Sequence, residues 1–139
     1  MKGYKILIVE DDEDIVETVK YSLETKGFVV DVAYDGLHAL RKARKNGCDL
    51  MLLDIMLPGK NGYEVSRILK EEMDQKKIAP FPILVLTARK VNSPEREDFL
   101  ATWSKADEFM YKPFEMEDLV GRIAEHMERT MGAGVAGER

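Results

Sequence analysis

The chain has a single cysteine, Cys48, so no internal disulfide can staple it. Its two histidines, His38 and His126, have no cysteine or second histidine at ligand spacing, which argues against a zinc centre. Both are expected at the surface beside charged neighbours. No apolar run approaches the roughly 20 residues of a membrane-spanning helix, and the opening MKGYKILIVEDD lacks the length and cleavage pattern of a signal peptide. There is no basic run either, and a net charge of -5 works against holding nucleic acid or an acidic membrane surface directly. A cytoplasmic location is the expectation.

What is present is an ordinary globular balance over 139 residues, 45% apolar and 34% charged, enough for one domain with a substantial core. The segment from Met131 to Arg139 is Gly/Ala-rich without an apolar period. It is expected to be a flexible tail on a domain spanning 1–130.

Five short apolar runs punctuate the chain: Ile6–Val9, Phe28–Ala33, Leu50–Leu53, Pro82–Thr87 and Asp107–Tyr111. Leu50–Leu53 is apolar on both faces, as in the interior strand of a parallel sheet covered by helices, and it runs directly into Asp54. Between the runs lie helical spacings. Ile15, Val16, Val19 and Leu23 close at Gly27; Gly36 opens a helix expected to turn Leu37, Leu40 and Ala43 inward; Val65, Ile68 and Leu69 follow Gly62. Ser93 and Pro94 are a cap and first-turn pair ahead of Phe99, Leu100 and Trp103, and Met116, Leu119, Val120, Ile123 and Met127 form the last stripe. Five βα units predict an α/β fold, a doubly wound five-stranded parallel sheet with helices on both faces.

Such sheets bind ligands beyond the carboxyl ends of their strands. That edge collects Asp11 and Asp12 after the first strand, Asp54 after the third, Thr87 at the end of the fourth and Lys112 after the fifth. One acid of the Glu10–Asp14 cluster must also cap the following helix. Three crowded carboxylates need a compensating cation, and hard oxygen ligands suit Mg2+. With an ammonium and a hydroxyl beside them they can surround a phosphoryl group in transfer, which makes Asp54 the candidate nucleophile.

The acidic residues after ILIVE, then LLDIMLPGKNG, ILVLTA and KPF, in this order over residues 4–128, resemble the receiver domain of two-component response regulators. The resemblance implies the flavodoxin-like strand order 2-1-3-4-5 of chemotaxis regulators. It implies Asp54 as phosphoacceptor, Asp11 and Asp12 as the acidic metal-binding pair, and the Met56 backbone carbonyl completing the Mg2+ shell. Thr87 becomes the switch hydroxyl, Lys112 the phosphoryl contact and Phe109 the switch aromatic, with a cis bond before Pro113. The partner would be a histidine kinase or phosphotransfer protein. The reader of the state would be a downstream protein or a C-terminal effector domain, through the surface of the fourth helix, fifth strand and fifth helix, with a phosphorylation-dependent dimer left open.

Arg89 and Met56 match positions that set phosphoryl lifetime, and neither is a water-positioning acid or amide, so slow self-dephosphorylation is expected. Lys105 stands where the family commonly has glycine, and KEEMDQKKIAPFP lengthens the way from Asp54 to Thr87. A Mg2+-dependent phosphatase of the haloacid-dehalogenase type would need an acid at position 56, where this chain has Met56. A binding-only receiver is the third reading.

Overall fold

The computed structural model describes residues 3–88 and 94–138, with the backbone alone at Pro94 and over 131–138. The strands are β1 (Lys5–Val9), β2 (Val29–Ala33), β3 (Leu50–Asp54), β4 (Ile83–Ala88) and β5 (Glu108–Lys112). The helices are α1 (Glu13–Thr25), α2 (Gly36–Lys45), α3 (Gly62–Asp74), α4 (Pro94–Ser104) and α5 (Met116–Glu138). All pairings are parallel and the order is β2-β1-β3-β4-β5, the expected doubly wound sheet. Strand ends fall within one residue of the expected ones.

Alternation along the strands divides the core in two. Leu7, Val9, Met51, Leu53, Ile83 and Val85 face Ala39, Leu40, Ala43, Val65 and Leu69 of α2 and α3. Ile6, Ile8, Leu50, Leu52, Leu84 and Leu86 face Val16, Val19, Leu23, Leu119, Ile123 and Met127 of α1 and α5. Each such Leu, Ile or Val contributes about 1.5–3 kcal/mol by leaving water. The strands pair in a register that sets β3 between β1 and β4, so all five of its residues are buried and Asp54 is held at a rigid edge.

Two expectations are corrected. Leu37 is 53% exposed, because the inward stripe of α2 is Gly36, Ala39, Leu40 and Ala43, and Leu37 is turned about 100° from its start. His126 is 7% exposed: it follows Leu119 and Ile123 on the inward stripe of α5, and its Nε2 meets Glu108 Oε1 at 2.8 Å. The backbone of α5 is helical to Glu138. Glycine costs a helix only about 1 kcal/mol relative to alanine, and Ala133, Val135 and Ala136 lie between the glycines.

Lys105 ends α4 with φ +60, the left-handed conformation for which the family's glycine is suited. Trp103 packs against α3, with the Arg67 guanidinium 5.0 Å from its ring centre. The expected cap Ser93 and Arg89 lie outside the described residues. Among the described residues no helix is long and apolar enough to cross a membrane.

Candidate functional site

Register explains why the acids meet. Val9 pairs with Leu53, so the next residues, Glu10 and Asp54, leave adjacent strands side by side. The Glu10 amide donates to the Ala33 carbonyl at 3.1 Å, which extends the ladder by one residue and holds the Glu10 backbone. Both side chains turn inward: Glu10 is 2% exposed and Asp54 4%. Oxygens of Glu10, Asp11 and Asp54 all lie within 4.8 Å of one another.

Lys112 joins them from the end of β5. Its ammonium donates to Glu10 Oε1 at 3.0 Å and to Asp54 Oδ1 at 3.1 Å. Burial pushes the Glu10 carboxyl up, the Lys112 hydrogen bond pulls it down and the neighbouring Asp54 charge pushes it up again, to about 7. Burial works against the Lys112 charge, but hydrogen bonding to Glu10 and the Asp54 charge outweigh it, so the lysine is held above its ordinary value as an ammonium. One lysine thus contacts two of the three acids.

Asp12, expected in this cluster, is elsewhere. It is the cap of α1, its Oδ1 accepting from the Asp14 amide at 3.0 Å and the Ile15 amide at 3.3 Å. The acid that sequence reasoning left out is Glu10, whose Oε2 accepts from the Asp11 amide at 3.1 Å. The signal was available: Glu10 follows its strand's last apolar residue directly, as Asp54 does, whereas Asp12 sits at capping distance from Ile15.

The Thr87 hydroxyl donates to the Ala88 carbonyl at 3.3 Å. Thr87 and the partly buried Phe109 line a cavity of about 220 Å3 together with Tyr63, Ala101 and Tyr111, between α4 and the ends of β4 and β5. The Phe109 ring centre is 6.5 Å from that of Tyr63. The Lys112–Pro113 bond is cis, as expected. In the β3–α3 loop the Met56 side chain is 60% exposed between buried Ile55 and Leu57. Gly62 lets α3 start hard against the strand end, since a Cβ there would lie 2.5 Å from the Asp54 carbonyl oxygen.

The donor set fits Mg2+: hard carboxylate oxygens, negative charge in excess of the lysine, and burial that makes this excess costly without a cation. Glu10, Asp11 and Asp54 are the side chains that would hold it.

Residues 6–124 match the family model described as the response regulator receiver domain. The chain is 39% identical over 134 residues to the alkaline phosphatase synthesis transcriptional regulatory protein PhoP of Bacillus subtilis, covering 96% of this chain and 52% of that protein. It is 36% identical over 125 residues to the response regulator ArlR of Staphylococcus saprophyticus, covering 90% and 53%. It therefore spans about half the length of these curated relatives. Among solved structures, the receiver domain of the Francisella response regulator 1452 superposes with a TM-score of 0.78 at 29% identity, covering 92% of this chain and 99% of that one. Fold, edge chemistry and these likenesses agree, and the chain belongs to the response regulator receiver domains of two-component systems.

Proposed function

We propose that this domain takes a phosphoryl group onto Asp54 from a histidine kinase or phosphotransfer protein in the cytoplasm, and that the phosphorylated state is read from the surface of α4, β5 and α5. The observation that carries this is a buried Asp54 held 3.1 Å from the Lys112 ammonium, with Glu10 and Asp11 beside it.

An Asp54 carboxylate oxygen attacks phosphorus in line, the new P–O bond forming as the P–N bond to the donor histidine breaks and the imidazole leaves with the electron pair. Lys112 exchanges its contacts with Glu10 and Asp54 for a phosphoryl oxygen and neutralises the charge arriving there. Glu10, Asp11, Asp54 and the Met56 carbonyl would hold a Mg2+ ion, which would add charge neutralisation at the phosphoryl oxygens. Thr87 turns its hydroxyl from the Ala88 carbonyl toward the phosphoryl group, and Phe109 moves into the cavity it shares with Thr87. The output is an effector segment of a longer chain or a separate protein partner. With Met56 in place of an acid, the phosphoaspartate has no side-chain base two residues away and is lost slowly.

The test is intact mass measurement after incubation with Mg2+ and a small acyl phosphate. The wild-type chain gains one phosphoryl group that is labile to base, and Asp54→Asn gains none. An unmodified wild-type chain under these conditions and with cognate kinases would overturn the reading in favour of a binding-only receiver.

A further inference from the structure

We propose that Gly36, at the first position of α2, is a positioning residue for the Mg2+ site: its missing side chain lets the β3–α3 loop lie against α2 and so sets where Met56 stands beside Asp54. The inference rests on the phosphoacceptor reading above.

Backbone conformation does not require glycine here. Gly36 is absent from the residues of positive φ and lies inside a helix, where glycine costs about 1 kcal/mol relative to alanine. Close approach does require it. A Cβ at this position would lie 2.6 Å from the Lys60 carbonyl oxygen, 3.0 Å from Lys60 Cβ and 3.1 Å from Val65 Cγ2. The first of these is backbone, which cannot swing aside as a side chain can.

The loop cannot retreat the other way. On its inner side Gly62 already abuts the strand end, where its own Cβ would lie 2.5 Å from the Asp54 oxygen and 2.8 Å from Ile55 Cα. Residues 55–61 therefore run between two positions that lack a Cβ. The Leu57 and Gly62 amides both donate to the Ile55 carbonyl at 3.0 Å, and the Ile55 and Leu57 side chains are buried in the core. Nor is α2 free to yield: Ala39, Leu40 and Ala43 are buried, Lys42 pairs with Asp31 at 2.6 Å and Arg44 with Glu72 at 2.6 Å. A methyl group at position 36 therefore presses on Lys60, in the same loop that carries Met56.

The test is calorimetric titration of the full chain with MgCl2, with no phosphodonor present. Gly36→Ala should raise the Mg2+ dissociation constant about 10-fold or more, the range for groups that orient metal ligands from behind. Gly121→Ala, where a Cβ would meet nothing within 4 Å, is the control and should leave it unchanged. A folded Gly36→Ala chain with wild-type Mg2+ affinity overturns the inference alone. A wild-type chain that takes up no Mg2+ overturns the parent reading and this one with it. Should Gly36→Ala not fold, amide resonances of the wild type decide: Gly36 and Lys60 should shift with the same Mg2+ midpoint as Asp54, and a stationary Gly36 overturns the inference.

Discussion

At the residue scale, the site turns on which acids do which job. Neighbouring acids one and two residues apart look alike in composition, yet Glu10 is buried against Lys112 while Asp12 accepts two helix amides. Mg2+ bound to the native chain alone stabilises it by mass action, about 2.7 kcal/mol at one hundred times the dissociation constant. Glu10→Gln should remove that gain in a thermal melt with and without MgCl2. Asp12→Asn should keep it, and Asp12→Ala should cost about 1 kcal/mol in both conditions through the lost cap. Equal loss of the Mg2+ response in Glu10→Gln and Asp12→Asn would return Asp12 to the metal site.

Elements were far more legible than these individual roles. Leu50–Leu53 could only be an interior strand, because four consecutive apolar residues between turn signals leave no solvated face. Helix faces were harder where few large residues mark them. The inward stripe of α2 is three alanine- or glycine-sized residues and Leu40, so the larger Leu37 drew the stripe toward itself although it is exposed. His126 was obscured for the opposite reason: a histidine on an apolar stripe is buried when a carboxylate satisfies it, and Glu108 lies 18 positions away in the chain.

Element ends carry two predictions. Lys105, at φ +60, is strained by about 1–2 kcal/mol relative to a residue without Cβ. Glycine there gives back about 0.4–1 kcal/mol through greater freedom of the unfolded chain. Its ion pair with Asp74, at 3.7 Å on the surface, adds little. Lys105→Gly should therefore stabilise the fold by about 0.5–1 kcal/mol, as this difference implies, in urea titrations. Gly62→Ala should do the reverse by about 1–3 kcal/mol, because the new methyl meets backbone at Asp54. Its phosphorylation rate should fall even at temperatures where the variant remains folded.

For the whole molecule, three carboxylates tie neighbouring elements together and set the acid limit of stability. Asp31 binds Lys42 across β2 and α2, Glu72 binds Arg44 across α3 and α2, and Glu108 binds Arg122 and His126 across β5 and α5. Burial works to raise Asp31 and Glu108, but their cationic partners outweigh it, and Arg44 directly lowers Glu72; all three lie below their ordinary values of 3.8, 4.5 and 4.5. A carboxyl lowered on folding is protonated first in the unfolded chain, so the unfolded state binds more protons as the pH drops. The stability these groups supply is complete above their ordinary values and is lost as the pH falls through the lower, folded ones. Glu10, displaced upward from 4.5 to about 7, works in the opposite direction: the folded state takes up its proton first, so it adds stability as the pH falls from about 7 toward 4.5, and only below that is it protonated in both states. Urea midpoints should decline below about pH 4.5, the onset that linkage assigns to carboxyls of this kind. The triple variant Asp31→Asn, Glu72→Gln, Glu108→Gln should begin less stable and decline less steeply, and an unchanged acid slope would mean that the acid limit lies with other groups.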